Sequence, residues 1–300
     1  MTATQSEKMA AHRGAYGLRI DFGDTGTDST PIDRSLLVDV GVDRPEWQIA
    51  WEPLPRPASD AAPVVESWNR DEAVLAAPPS GFVTVDRAAA RTTLHLHEPP
   101  TPATILHPYL ASTGVVAGHW LGRTPFHGGS FVAGGRAWGV LGGREMGKSS
   151  LLMSLHRAGT AVLADDVLVL EDGVAYAGPR CLDLRQSAAE RFGAGDYLGV
   201  VGTRERWRVT LPPAPGEVPF GGWILLDWSD QVELGRPDPA ARLTALVANA
   251  GLTAPGVATP GILDLLDYPM IRFGRPRDWS QADSALEQLL RAVGSEPVQP

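Results

Sequence analysis

Cysteine, basic clusters and long apolar runs are scarce in this sequence. Its 300 residues include one cysteine, Cys181, so no disulfide framework can form within the chain. Lys and Arg number 26 against 35 Asp and Glu, and the net charge of -9 comes without any basic block. An acidic chain of this kind lacks the electrostatic basis of non-specific nucleic-acid binding. The longest apolar runs, such as 221–226, fall far short of the roughly 20 residues that a membrane-spanning helix needs.

The beginning of the sequence also lacks the pattern of a secretory signal. Residues 1–14 are polar and contain no apolar core of signal-peptide length. A single cysteine is compatible with a reducing compartment. These absences together predict a cytoplasmic protein that has neither a nucleic acid nor a membrane as its partner.

The residues that are present have an ordinary globular composition with many turn formers. The hydrophobic fraction is 43% and the charged fraction 20%, which is enough apolar material to bury a core. The 33 glycines and 26 prolines predict many turns and a fold that contains strands. We expect an α/β protein with a disordered tail over 1–14, a small strand-rich part over 15–108 and a second domain over 109–300.

Apolar periodicity predicts the elements within these parts. In the first part, strands are expected at 16–22, 35–40, 47–51, 82–86 and 93–97, with a proline-rich loop over 52–63. In the second part, helices are expected at 103–120, 148–157, 238–250 and 281–293, and strands at 129–133, 137–141, 161–164, 167–170, 207–211, 222–226 and 270–273.

One motif in the second part indicates chemistry directly. Residues 142–149, Gly-Gly-Arg-Glu-Met-Gly-Lys-Ser, fit the pattern G-x-x-x-x-G-K-[ST] of a phosphate-binding loop, with a predicted strand before and a predicted helix after. Glycines let backbone amides approach phosphate oxygens, and the helix directs its positive end at them. The cofactors expected are ATP, or another nucleoside triphosphate, and Mg²⁺. Their predicted binding set is Gly142, Gly143, Arg144, Glu145, Met146, Gly147, Lys148, Ser149 and Ser150, with Lys148 on the β and γ oxygens and Ser149 on the metal.

Two further features accompany the loop. Asp165 and Asp166 end an apolar strand, where an acid can hold Mg²⁺ through water or take a proton from an attacking hydroxyl. His127 precedes the strand pair that leads into the loop. A lone histidine is more often structural, and its position beside the other two features is what makes it a candidate.

Taken together, these residues resemble the catalytic domain of the HPr kinase/phosphorylase family. The shared order is His127-Gly128, the loop 142–149, Arg157-Ala-Gly159 and Leu163-Ala-Asp165-Asp166, and Leu182-Asp-Leu-Arg185 is similar to a later family segment. The likeness is strong over about 120–190 and weak to 293. It is closer to the shorter HPr-kinase-like proteins of bacterial gene clusters, some of which resemble kinases that phosphorylate a serine of lasso-peptide precursors.

The resemblance implies a role for each matching residue. Lys148 would hold phosphate, and Asp165 would be the base for the acceptor hydroxyl, with His127 beside it to tune it. Asp166 would hold metal together with Ser149, and the two aspartates could exchange roles. Arg185 would meet phosphate or transition-state charge. The implied activity is a serine or hydroxyl kinase that acts on a peptide or small protein, and homo-oligomers are known in such families.

Several positions depart from the family pattern. Arg144 and Glu145 replace a serine and a glycine of the family loop, and Ser150 replaces a glutamate. The expectation is therefore limited to the kinase half-reaction. Two alternatives stay open, namely a regulatory nucleotide-binding module and a degenerate peptide-binding scaffold, and the Glu145 carboxylate is the main argument for the scaffold.

Some weaker patterns allow two interpretations. Arg204, Arg206 and Arg208 alternate on a predicted strand, and a solvated strand face is favoured over a clamp on the transferred phosphoryl group. Trp47, Trp51 and Trp68 are expected in the core of a small sheet rather than on a peptide-docking surface. His95, His97, Glu98 and His107 form a group too loose to predict a metal site.

Overall fold

A computed structural model describes residues 12–22, 33–55, 66–77, 81–251 and 261–295. The predicted tail therefore lies mostly outside the described residues, and its end at 12–14 belongs to a strand. The predicted loop over 52–63 also lies largely outside them. Among the described residues, no helix is long and apolar enough to cross a membrane.

The first hundred residues form an eight-stranded sheet. Its strands are β1 (His12–Ala15), β2 (Leu18–Asp21), β3 (Val38–Val40), β4 (Glu46–Pro53), β5 (Ser67–Trp68), β6 (Glu72–Ala77), β7 (Gly81–Asp86) and β8 (Arg91–Leu96). Their order across the sheet is β3-β1-β2-β4-β8-β7-β6-β5. The predicted pairing of the strands at 82–86 and 93–97 is confirmed by the antiparallel β7–β8 ladder.

Two predictions in this sheet were wrong in detail. The strand expected over 16–22 is half of a hairpin, because Tyr16 and Gly17 adopt positive φ angles of 57° and 72° and form its two-residue turn. The segment expected as a strand over 35–40 begins with a 3₁₀ turn, Arg34–Leu36, which Asp33 caps before β3. In both places a local turn preference prevails over apolar alternation.

The helix expected over 103–120 is interrupted. It consists of α1 (Pro102–Thr104), a π-helical turn at Ile105–Tyr109 and α2 (Leu110–Trp120). His107 has φ -153° and ψ 125°, which is extended backbone. The cause is Pro108, since proline disfavours the helical conformation of the residue before it and cannot donate a hydrogen bond. The break directs the His107 side chain toward the site described below.

A nine-stranded mixed sheet forms the second layer. Its strands are β9 (Thr124–His127), β10 (Gly129–Ala133), β11 (Arg136–Leu141), β12 (Val162–Ala164), β13 (Val167–Glu171), β14 (Val174–Tyr176), β18 (Glu217–Trp228), β19 (Glu233–Gly235) and β20 (Met270–Arg275). The order is β12-β10-β11-β18-β14-β13-β9, and β20 pairs with both β18 and β19. Within it β11, β18 and β20 run parallel, so their carboxyl ends lie at one edge.

A small third sheet and four further helices complete the described fold. The sheet contains β15 (Cys181–Leu184), β16 (Asp196–Val201) and β17 (Arg204–Thr210), with β17 central. The helices are α3 (Lys148–Arg157), α4 (Gln186–Phe192), α5 (Pro239–Ala248) and α6 (Ala282–Ser295). The bounds of α3 are those predicted, while α5 and α6 differ by one or two residues at their ends. The α/β class is confirmed as a mixed architecture with several sheets and few helices.

The first sheet is packed onto the second across α2. Leu94 of β8, Val116 of α2 and Val169 of β13 belong to one buried apolar cluster. The predicted boundary between residues 108 and 109 falls just before α2, within this shared core. Trp47 is 3% exposed in the same cluster, which confirms its expected core position, and Trp51 and Trp68 pack at the margin of the cluster.

Candidate active site at the glycine-rich loop

The glycine-rich loop connects the end of β11 to the start of α3. Gly147 is the residue before α3, and its φ is 78°. This positive φ favours glycine, and a Cβ atom there would also lie 2.6 Å from Nη2 of Arg275 and displace the end of that side chain. Glu145 also has a positive φ, 69°, which is uncommon for a residue with a side chain. Gly147 thus suits its place in the loop, whereas Glu145 is held in a conformation that its residue type does not favour.

Lys148 lies over this loop. Its Nζ donates hydrogen bonds to the carbonyl oxygens of Gly142 at 2.7 Å and Gly143 at 3.4 Å. Burial lowers the pKa of Lys148, and the charges of Asp166 and Asp165 oppose the fall. The ammonium group is thus partly desolvated and close to both carboxylates, in a position to exchange its carbonyl partners for a phosphate oxygen.

Asp165 joins the strand end to the start of α3. The Ser149 hydroxyl donates to Asp165 Oδ1 at 3.2 Å, and the Asp183 amide donates to Oδ2 at 3.1 Å. Burial, reinforced by the charge of Asp166, raises the pKa of the Asp165 carboxyl to about 7. Asp165 does not line the cavity in front of the loop. Its two oxygens are each occupied by one of these hydrogen bonds.

Asp166 has a different set of neighbours. Its carboxylate lies 3.3 Å from Nε2 of His107 and 3.5 Å from Nδ1 of His127, and its backbone has a strained φ of 69°. Burial lowers the pKa of His107, so that imidazole is neutral near pH 7. The residue expected beside His127 was Asp165, and the contact that the structure shows is with the adjacent Asp166, whose backbone carbonyl also accepts from the Gly128 amide just after β9.

The charged residues predicted in and after the loop contact each other. Arg185 Nη1 lies 3.1 Å from Glu145 Oε1, and Arg144 Nε lies 3.8 Å from the same oxygen. The hydrogen bond from Arg185, followed by its charge, lowers the pKa of Glu145. Glu145 is thus paired with a cation across the mouth of the loop.

The arginines of β17 do not form the solvated strand face that the sequence favoured. Arg208 is 5% exposed and binds Asp183 through two hydrogen bonds of 2.7 and 2.8 Å. Arg204 and Arg206 lie on the same face of the strand and line the cavity. The alternation of arginines in the sequence predicts that they share one face of the strand, but it does not predict whether solvent or protein lies against that face.

A single cavity of about 840 Å³ brings most of the predicted residues together. Its wall includes residues 143–150 of the loop and α3, together with His127, Asp166 and Arg185. Gly142 and Asp165 are adjacent in sequence to residues of this wall but do not line it themselves. The N-terminal sheet and the 102–112 segment contribute an apolar end through Ala77 and Tyr109.

Several residues of the site were missed from the sequence. Arg275 Nη2 donates to the Met146 carbonyl at 2.8 Å, and its guanidinium lies 4.6 Å from the centre of the Trp228 ring. Burial lowers the pKa of Arg275 to about 10, so it remains a cation near pH 7. Asn249 accepts a hydrogen bond from the Gly142 amide at 3.3 Å. Trp228 and Arg275 are the last residues of β18 and β20, which run parallel to β11 in the same sheet. Residues at the carboxyl ends of neighbouring parallel strands meet at one sheet edge, and this rule could have identified both.

The donor set near Ser149 suits a magnesium ion. The Ser149 hydroxyl and the Asp165 carboxylate are hard oxygen donors 3.2 Å apart at the end of a loop suited to phosphate. Among the described residues, no group of three or more His, Cys, Asp or Glu side chains is arranged to hold a metal. A Ser–Asp pair therefore fits an ion that takes its remaining ligands from phosphate and water.

Comparison with known proteins adds little to this geometry. No protein-family profile and no curated protein sequence matches the chain. Among solved structures, it is similar to the HPr(Ser) kinase/phosphatase from Coxiella burnetii, with 13% identity and a TM-score of 0.28, over 56% of this chain and 95% of that one. A TM-score of 0.28 carries no weight for fold or function, so the function has to be inferred from the residues of this chain.

Proposed function

We propose that the chain is a kinase that transfers a phosphoryl group from Mg²⁺-ATP to a hydroxyl, with a serine of a peptide or small protein as the acceptor. One observation carries the proposal. The loop lysine, the Ser149–Asp165 pair and the histidine-flanked Asp166 meet around one cavity. Phosphoryl transfer needs mainly positioning and charge stabilisation, and these groups are of the types that supply both.

The loop and α3 would bind the triphosphate. The amides of residues 143–147 and the positive end of α3 suit phosphate oxygens. Lys148 would leave the carbonyl of Gly142 and donate to the β and γ oxygens. Arg275 would hold the loop open by keeping the Met146 carbonyl occupied.

Ser149 and Asp165 would hold the magnesium ion. When bound, Mg²⁺ would neutralise charge on the phosphate oxygens. The hydrogen bond between these two side chains supports their sharing one ion. A cation also offsets the desolvation cost of ionising Asp165.

Asp166 would accept the proton of the attacking hydroxyl. It lines the cavity, whereas Asp165 does not and accepts hydrogen bonds from Ser149 and the Asp183 amide, so these contacts favour the exchanged assignment of the two aspartates. As the hydroxyl oxygen bonds to the γ phosphorus, the bond to the β–γ bridging oxygen breaks, ADP leaves, and the hydroxyl proton passes to Asp166. His107 and His127 would orient the carboxylate for this transfer.

The Glu145 carboxylate is compatible with phosphate binding, so it does not by itself favour the scaffold alternative. Its pairing with Arg185 at 3.1 Å offsets the charge that would otherwise repel phosphate. The regulatory-module alternative differs from the kinase in having no phosphoacceptor. Both alternatives are outcomes of the experiment below.

Calorimetric titration with Mg²⁺ and a non-hydrolysable ATP analogue tests the nucleotide site. We expect Lys148→Ala to weaken binding about tenfold to a hundredfold, since it removes a charged hydrogen-bond donor. Arg70→Ala is the control, because Arg70 is exposed and outside the cavity. Wild-type protein that is folded but binds no nucleotide would refute the kinase and favour the scaffold.

Incubation with labelled ATP and pooled serine peptides tests the transfer step. We expect peptide labelling by the wild type and its loss in Asp166→Asn, with nucleotide binding retained in the variant. The same incubation is repeated with a lysate of the producing cells. ATP hydrolysis without a labelled peptide or protein in either incubation would favour the regulatory module.

A further inference from the structure

The cavity has a charge opposite to that of the whole protein. Seven basic and four acidic side chains line it among the described residues, while the chain as a whole carries -9. Excess positive charge in a concave site attracts and retains anions. A bound triphosphate would contact some of these basic side chains, and the remaining ones are available to a second anion.

Most of the cavity cations already have partners. Arg185 is paired with Glu145, and Arg275 is hydrogen-bonded to the loop carbonyls. Just behind the wall, Arg208 is paired with Asp183. Lys148 lies at the loop, where the β and γ phosphates are expected. These groups belong either to the nucleotide or to the protein framework.

A further lining cation, Arg277, lies over the Trp228 ring at 4.9 Å from its centre. Arg204 and Arg206 differ from these cations. Neither side chain makes a hydrogen bond or an ion pair within the part of the chain that the structure describes, and Nε of Arg206 is shielded from solvent without a partner. Desolvation and then the charges of Arg144, Arg185 and Arg206 lower the pKa of Arg204. Two guanidinium groups are thus held near other cations, where a bound anion would relieve the repulsion.

The position of the pair points toward the acceptor side of the cavity. Arg204, Arg206 and Arg208 lie on one face of β17, and the row ends at the buried Asp183 pair. Arg208, next in the row, donates to the Ala103 carbonyl at 2.7 Å, and Ala103 belongs to the segment that carries His107, the residue that contacts Asp166. Arg206 therefore lies near the end of the cavity where the hydroxyl would meet its base, and Arg204 continues the row toward the mouth.

We propose that Arg204 and Arg206 form an anion site for the phosphoacceptor, which is therefore a peptide segment with a carboxylate close to the accepting serine. This inference rests on the proposed kinase function and specifies its substrate. Arg forks bind carboxylates through paired hydrogen bonds, which would fix the distance between the acid and the hydroxyl. The apolar end of the cavity, with Ala77, Val83 and Tyr109, would receive a neighbouring apolar side chain.

Equilibrium binding of two matched peptide pools tests the proposal. Both pools are short, fluorescently labelled peptides with a central serine and random surroundings, but one has Asp and the other Asn at the flanking positions. Binding to the full chain is followed by anisotropy with and without Mg²⁺ and a non-hydrolysable ATP analogue. The proteins are wild type, Arg204→Gln/Arg206→Gln and the control Arg70→Gln.

We expect wild type and the control to bind the Asp pool about tenfold to a hundredfold more tightly than the Asn pool. The double variant should bind both pools equally while its affinity for the nucleotide analogue is unchanged. High salt should reduce the preference in the wild type. Arg204→Lys/Arg206→Lys, which keeps the charge, should retain part of it and serves if the Gln variant does not fold.

Two results would overturn the proposal. Equal binding of the pools by wild type would mean that no acceptor anion is recognised. A double variant that loses nucleotide affinity but keeps its preference for Asp would mean that the pair binds the triphosphate. A third result separates this proposal from the kinase function. If the preference for Asp depends on the two arginines but the wild type neither binds nucleotide nor labels a peptide, the anion site is supported and the kinase function is refuted.

Discussion

At the residue scale, Asp165 and Asp166 are adjacent in the chain but differ in environment. Asp165 accepts hydrogen bonds from Ser149 and from the Asp183 amide, and Asp166 contacts two histidines and lines the cavity. The positive φ of Asp166 produces this divergence, because it turns the second carboxylate away from the first. Two acids with separated environments can take separate roles at one site.

The environment of Asp165 predicts how stability depends on pH. The pKa of its carboxyl is about 7 in the folded protein and 3.8 in the unfolded chain, so between these values the folded state holds a proton that the unfolded state has lost. The free energy of unfolding should therefore fall as the pH rises from about 4 to 7, by a few kcal/mol at most. Asp165→Asn should flatten this fall and make the variant more stable than wild type at pH 8.

Urea unfolding across this pH range measures the effect. Asparagine can accept from the Asp183 amide and donate to Ser149, so the substitution removes the charge while keeping both contacts. Asp230→Asn is the control, because Asp230 is exposed and outside the cavity. A variant at position 165 whose stability varies with pH as the wild type does would contradict the assignment of this pH dependence to Asp165.

At the scale of elements, β11, the loop and α3 form the unit that positions the site. Gly139 in β11 is packed against the buried Trp223, and a Cβ at Gly139 would lie 2.7 Å from the indole ring and 2.8 Å from Leu168. The absence of a side chain at Gly139 therefore lets the β11 backbone approach Trp223 and Leu168 closely. The glycine here serves packing, whereas Gly147 serves the backbone turn.

Gly139→Ala should therefore destabilise the protein by about 1–3 kcal/mol, as overpacking in a rigid core does. Gly235→Ala is the matched control, because nothing lies within 4 Å of its added Cβ. We expect that control to change stability by less than about 0.5 kcal/mol. Denaturant midpoints measure both, and equal midpoints for the two variants would show that the core around Trp223 can move aside.

At the scale of the whole molecule, Arg123 connects the first sheet to the second. Its side chain is 3% exposed, and Nη1 donates to the carbonyls of Tyr16 and Gly17 in the β1–β2 turn. Nε contacts Glu171 at 3.0 Å, and the guanidinium lies over the Tyr176 ring. One buried cation therefore joins the N-terminal hairpin to β13 and β14.

Arg123→Met should destabilise the protein by about 2–4 kcal/mol, because it leaves the carbonyls of Tyr16 and Gly17 without this donor and removes the cation paired with Glu171. Urea unfolding followed by tryptophan fluorescence measures the loss. Arg70→Met, at an exposed position, should leave the midpoint unchanged. A small effect at Arg123 would mean that water replaces its hydrogen bonds and that the apolar core across α2 holds the sheets together.

The local order of elements around the loop could be predicted from the residues alone. Apolar runs, the glycine pattern and the amphipathic stretch after Lys148 predicted the strand, the loop and the bounds of α3. These signals are short-range, since backbone preference and capping depend on neighbours within a few residues. The same signals failed at Tyr16 and His107, where a turn and a proline overrode the periodicity.

The pairing of side chains depends instead on how distant strands come together. Glu145 meets Arg185 and Gly142 meets Asn249, across separations of 40 and 107 residues. Arg275 reaches the loop because β20 runs parallel to β18 and ends at the same sheet edge. Which aspartate faces the cavity, and which arginines lack a partner there, follow from packing and sheet register. Composition and periodicity carry no information on these, because both describe only neighbours along the chain.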